Sequence, residues 1–185
     1  MAVLIPKRSL VATLLLLSGF WAQAFAEENL QLQEAEIKAG LLYNFLKYTQ
    51  WPVTSPSVVV CVYGEDPFGG YLQPIAGRSV NQHEIALHTV HTVDEMAACH
   101  LLFVNAAEKA HWPEVRKFLV GKSVLTVSDF EDFAQTGGMI EFGRKNDHIS
   151  VDLNIDAVTA AHLSVGERLL KLVTVLHPSG SEGAQ

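Results

Sequence analysis

The sequence predicts a three-layer α/β domain: a mainly parallel sheet with helices on both faces and an antiparallel hairpin in its C-terminal part. Three observations point there. β-branched apolar runs recur, clearest in Ser57 to Tyr63 (S-V-V-V-C-V-Y), and their unbroken hydrophobicity suits strands buried on both faces. Segments of helical length, opened by capping residues or closed by glycine, separate the runs. Two strands, Met139 to Phe142 and His148 to Leu153, instead flank the polar turn Gly143-Arg144-Lys145-Asn146-Asp147, which spells a hairpin.

At the N-terminus, Lys7 and Arg8 precede an apolar run from Leu10 to Phe20 and small residues around Ala22, Ala24 and Ala26. This is the pattern of a secretory signal peptide over residues 1–26, cleaved after Ala24 or Ala26. The run of 11 residues is short of the ~20 a spanning helix needs. No cysteine lies near either cleavage site, which excludes a lipid-anchored N-terminus. Cleavage leaves 159 residues, one domain over 27–177 with a tail at 178–185, and takes the formal charge from −7 to −9. An acidic exported chain suits a periplasm, with no membrane insertion after cleavage, and is a poor partner for nucleic acid.

Glu34 to Pro52 (E-A-E-I-K-A-G-L-L-Y-N-F-L-K-Y-T-Q-W-P) reads as an amphipathic helix. At about 100° per residue, Ile37, Leu41, Leu42, Phe45, Leu46 and Tyr48 form its core face, and Glu36, Tyr43, Lys47 and Gln50 lie opposite. Pro52 ends it and pushes Trp51 toward an extended conformation. Tyr43 and Lys47, one turn apart near the Trp51 indole, have the composition of a contact patch, with Tyr48 at its margin. The same tyrosine and indole could equally pack on their own domain.

After the strand at Ser57 to Tyr63, Asp66-Pro67 opens a short helix that closes near Gly77. Glu84 to His91 is a second strand. Thr92-Val93-Asp94-Glu95 fits a capping box ahead of another short helix, and His100 to Val104 is a third strand. Pro113 begins a helix that stops at Gly121, and Val124 to Val127 is the next strand. Ser128-Asp129-Phe130-Glu131 is a second capping box, for a helix ended by Gly137-Gly138. Beyond the hairpin, Asn154 caps a helix over Ile155 to His162. Ser164-Val165-Gly166-Glu167 is a third capping box, opening a last helix that carries Leu169, Leu170, Leu172, Val173 and Leu176.

Cys61 and Cys99 are the only cysteines. In an exported protein an even pair is most simply a disulfide. It would close a loop of 38 residues, worth roughly 4 kcal/mol. The alternative is two buried free thiols. No C-x-x-C supports redox catalysis.

Other chemistry finds little footing. His83-Glu84-Ile85-Ala86-Leu87-His88 spaces its imidazoles five apart on a strand, where a zinc-protease helix needs four, so no metal site is expected. Ser164 lacks the glycine of a nucleophile elbow. Phe68, Gly69 and Gly70 follow the first strand, where an open α/β sheet places a ligand crevice. No cofactor motif occurs, and no nucleophile, base and oxyanion site assemble, so the chain reads as a non-enzyme.

Six blocks taken together resemble the YfiR family: L-L-Y-N-F-L-K-Y-T-Q-W-P at Leu41 to Pro52, C-V-Y-G-E-D-P-F-G at Cys61 to Gly69, C-H-L-L-F-V at Cys99 to Val104, L-T-V-S-D-F at Leu125 to Phe130, F-A-Q-T-G-G-M-I-E-F at Phe133 to Phe142, and R-L-L-K-L at Arg168 to Leu172. They span essentially the whole chain after the signal segment. The resemblance implies a periplasmic α/β module that represses an inner-membrane diguanylate cyclase, YfiN-like, by binding its periplasmic domain. An outer-membrane OmpA-like lipoprotein, YfiB-like, would titrate the repressor away and so control cyclic di-GMP and biofilm formation. Homodimers are expected, as is a Cys61–Cys99 crosslink matching cysteines of relatives, whose reduction under envelope stress would loosen repression. Two other readings compete. One is a small-molecule sensor using the crevice at Phe68, Gly69 and Gly70 and serving another signalling protein such as a histidine kinase. The other is a hydrolase with an unrecognised cleft.

Overall fold

The structure, a computed structural model, describes residues 30–52, 55–146 and 148–178. The expected signal segment and nearly all of the expected tail lie outside the described residues. In chain order the elements are α1 (30–48), β1 (Thr49–Gln50), β2 (Ser57–Tyr63), β3 (Ser79–Val80), β4 (His83–Val90), β5 (Leu101–Val104), α2 (Trp112–Leu119), β6 (Leu125–Ser128), β7 (Ile140–Lys145), β8 (His148–Asn154), α3 (Ile155–Ala160), β9 (Ser164–Val165), α4 (Glu167–Leu170) and β10 (Thr174–Leu176). Short 3-10 turns at Gln73–Ile75, Asp94–Ala98 and Ala106–His111 link them.

Eight strands form one sheet in the order β10-β8-β7-β6-β5-β2-β4-β3. Pairing is parallel except at the β7–β8 hairpin and at β3–β4. Alternation along the central strands sends side chains to two separate cores. Val58, Val60 and Val62 of β2, with Leu101 and Phe103 of β5, join the larger core under α1, α3 and α4. Cys61, Leu102 and Val104 join a second core under α2, with Trp112 and Phe133. The arrangement is the expected three layers.

Several local expectations give way. The core face of α1 is Ala35, Ala39, Leu42, Phe45 and Leu46, and Ile37 is exposed at 48 %. Alanines let the helix lie close to the sheet, which turns Ile37 to the far side and leaves Leu41 and Tyr48 half-buried. Residues 129–136 form turns, because the Ser128 hydroxyl donates to Val104 O (2.7 Å) and accepts from Phe130 N (3.3 Å) within a tight bend. The stretch from Asp66 to Gly77 is likewise turns around one 3-10 segment. After Thr92 a 3-10 turn replaces the helix, although the Glu95 carboxylate does accept from Thr92 N (3.0 Å), the reciprocal arm of a capping box.

The last helix ends at Leu170, and Thr174–Leu176 becomes β10, parallel to β8. An unpaired edge of β8 offers backbone partners, and the β-branched Thr174 and Val175 suit a strand. Ser164 is not a cap: it lies in β9, opposite β1, and Gly166 is the residue before α4. Asn154 performs as expected, accepting from Ala157 N (2.9 Å).

A candidate docking face and the crevices beside it

The C-terminal half of α1 carries the four residues expected to dock a partner. Lys47 is exposed, and its ammonium lies 5.6 Å from the Tyr48 ring centroid. Tyr43 and Tyr48 are half-buried against the larger core. Trp51 turns inward: its Nε1 donates to His100 O (3.1 Å), and its ring stands edge-on to the His100 imidazole at 5.9 Å. The structure therefore groups Tyr43, Lys47 and Tyr48 on the helix and ties Trp51 to the start of β5. Sequence reasoning missed the β3–β4 hairpin that braces this end. Asn81 Nδ2 donates to Lys47 O (3.3 Å) from a two-residue turn in which Asn81 (φ 50°) and Gln82 (φ 72°) both have positive φ. An asparagine in a two-residue connection was the available signal.

Beneath that end lies a cavity of about 290 Å³ lined by Thr49, Trp51, Val58, Asn81, His83 and His100, among others. His100 Nδ1 accepts from Val59 N (3.2 Å). Burial, and after it the nearby His83, hold the His100 pKa below the usual histidine value.

The loop after β2 lies at the C-terminal edge of the parallel strands, where such sheets hold ligands. Phe68 is fully buried, edge-on to Phe103 at 4.7 Å, and its N–H donates to Asp66 Oδ1 (2.8 Å). Gly69 and Gly70 are exposed with positive φ. The strand order reverses between β2 and β5, yet protein fills that point: Asn105 Nδ2 donates to Glu65 O (2.7 Å), and the Glu108 side chain occupies the space above Gly64. Pro67 and Phe68 instead border a crevice of about 360 Å³ that includes Lys38 and Asp129.

Lys38 is the hub of that crevice, bonded to Glu34 (2.8 Å) and Asp129 (2.9 Å), while Arg144 pairs with Glu34 (3.2 Å). Burial alone would lower the Lys38 pKa, but hydrogen bonds and charge from Glu34 and Asp129 outweigh it and raise the pKa above the usual lysine value. A cation held between two carboxylates is a tie between α1 and the loop after β6, ill suited to proton transfer.

Cys61 and Cys99 are disulfide-bonded, with Cα atoms 5.8 Å apart. The bond lies in the second core and joins β2 to the turn before β5. Among the described residues, no three His, Cys, Asp or Glu side chains converge as metal ligands. Nor is any described helix long and apolar enough to cross a membrane.

Compared with known proteins, the chain matches the YfiR/HmsC-like family over residues 35–174 and belongs to it. That family consists of periplasmic regulators of diguanylate cyclase signalling and is regulatory rather than catalytic. Among solved structures, the chain is similar to an ABC domain in complex with L-Trp from Streptococcus pneumonia. Identity is 11 % and the TM-score 0.45, over 65 % of this chain and 55 % of that one. The chain thus spans about half the length of that protein, a likeness that bears on neither its fold nor its ligands.

Proposed function

We propose that this member of the YfiR/HmsC-like family is exported by its N-terminal signal segment and represses an inner-membrane diguanylate cyclase, YfiN-like, by binding its periplasmic domain. Capture by an OmpA-like, YfiB-like lipoprotein of the outer membrane frees the cyclase, raising cyclic di-GMP and promoting biofilm formation. Repression on this reading needs no reaction, only a higher affinity for the cyclase's inactive arrangement than for its active one. A tenfold preference corresponds to about 1.4 kcal/mol.

The family match over residues 35–174 carries the reading. The docking face would be the outer side of α1 at Tyr43, Lys47 and Tyr48, with Trp51, beyond β1, anchoring the following chain to His100. Half-buried aromatics beside an exposed lysine present apolar area already partly ordered, which lowers the cost of docking. A homodimer would compete for the same surface. Reduction of the Cys61–Cys99 bond is a second route of relief, because it would loosen the strands that hold α1.

Binding of the purified mature chain to the cyclase's periplasmic domain, measured by calorimetry, tests the reading. Replacing Tyr43 and Lys47 together with Ala should weaken binding at least tenfold while the variant remains folded by circular dichroism. Unchanged affinity removes this face from the proposal. A wild-type chain that does not bind the domain at all ends the repressor reading.

A further inference from the structure

Four residues on the outer side of α1 have a spacing that reads the same in both directions. Glu36, Gly40, Tyr43 and Lys47 are four, three and four residues apart, and at about 100° per residue they fall within roughly 60° of one another. Glu36, Gly40 and Lys47 are exposed, and Tyr43 is half-buried. Neither Glu36 nor Lys47 forms an ion pair among the described residues. Within one helix the two lie roughly 16 Å apart along the axis, too far to pair with each other.

Gly40 is the member of this set that the fold does not explain. Glycine weakens a helix interior relative to alanine, and here no positive φ asks for it. Nor does a close neighbour in the same chain: a β-carbon at this position would have no atom within 4 Å. What glycine provides is bare backbone on the helix surface, one turn from the Tyr43 ring, where an aromatic ring of a second molecule can rest. The chain is also acidic, with a formal charge of −7, so two copies repel over most of their surface. They can meet where each carries the other's counter-charge.

We propose that α1 packs antiparallel against α1 of a second copy of this chain, about a two-fold axis that passes between Leu41 and Leu42. The symmetry sets position 36 opposite position 47 and position 40 opposite position 43, and it makes each contact twice. Each Glu36 carboxylate meets the second copy's Lys47 ammonium, and each Tyr43 ring lies on the second copy's Gly40. One helix from each copy places the contact at the small, weak end of interfaces, below about 1,200 Å² in total, so monomer and dimer coexist. Tyr43 and Lys47 also belong to the proposed docking face, which the pairing hides. The pairing is tested on this chain alone, so it holds or fails apart from the repressor reading.

Sedimentation equilibrium of the mature chain, from low micromolar to near millimolar concentration, should show a reversible monomer–dimer equilibrium that weakens as salt rises. Gly40→Leu fills the bare position. It should melt no lower than the parent, because leucine is the better helix former, and should dimerise about tenfold more weakly or worse, because the added side chain holds off the second copy's Tyr43. Lys47→Glu sets two carboxylates against each other at both ends and should weaken dimerisation as well. Adding Glu36→Lys to it restores both ion pairs in reverse and should bring the association back toward that of the parent. That rescue can come only from contacts between copies, since the two positions are too far apart to pair within one. Four results would each overturn the interface: a parent chain that stays monomeric throughout, a Gly40→Leu variant that dimerises like the parent, a Lys47→Glu variant that does so, or a double charge swap that dimerises no better than Lys47→Glu.

Discussion

His100 ties three segments together: its carbonyl oxygen accepts from Trp51 Nε1 and from Leu125 N (2.8 Å), and its Nδ1 accepts from Val59 N. Protonating the ring would set a second donor against the Val59 N–H, in a place where burial already disfavours charge. Its folded pKa is therefore depressed, so the imidazole's contribution to stability is complete above the unfolded value of about 6.5 and is lost as pH falls through the folded value. The melting temperature should accordingly drop between pH 7.5 and 5.5. In His100→Asn, whose side-chain oxygen can still accept from Val59 N, the drop should be smaller. Equal drops in both proteins would show that the acid sensitivity comes from other groups. At this scale the sequence was partly legible. Asn154 announced its cap, and the two cysteines their bond. The helix face was misread at Ile37, because the positions that touch the sheet are marked by the small Ala35 and Ala39, which a list of large apolar residues passes over.

The disulfide acts on whole elements: it fastens the middle of β2 to the turn before β5 across a separation of 38 residues. Replacing Cys61 and Cys99 together with Ser should cost roughly 4 kcal/mol by loop entropy, read as a lower denaturation midpoint in urea. A loss under about 1 kcal/mol would make the bond incidental to stability and weaken the case for redox relief. Strands were the most legible elements. The span from Ser57 to Tyr63 was read to the residue, and the antiparallel pairing of the hairpin was foreseen, because continuous β-branched runs and polar turns are local signals; Gly143, Arg144 and Lys145, expected in the turn, instead continue β7 opposite Ser150, Ile149 and His148. The stretches 129–136 and 171–176 misled for a shared reason. Each follows a helix-start signature, but the Ser128 hydroxyl in one case and the backbone of Thr174–Leu176 in the other found partners on neighbouring strands that are distant in sequence.

In the whole molecule, two cores share one sheet, so β2 and β5 cannot lose their packing on one face while keeping it on the other. Trp51 reports on the larger core and Trp112 on the second. The remaining tryptophan, Trp21, lies in the expected signal segment. In each single-tryptophan variant of the mature chain the fluorescence midpoint should therefore coincide with that variant's own far-UV circular dichroism midpoint, as one cooperative unit. Within one variant, fluorescence and circular dichroism midpoints separated by more than the experimental error would mean that the two layers melt independently. By itself the sequence determined the layer architecture, the hairpin, the cystine pair and the family, because each is written in a run, a spacing or a set of blocks that neighbouring residues carry. Only the tertiary structure decided that β10 closes the sheet edge and that Trp51 is bonded inward to His100. These depend on which strand edges and carbonyl groups are free once the chain has closed on itself, and no local pattern records that.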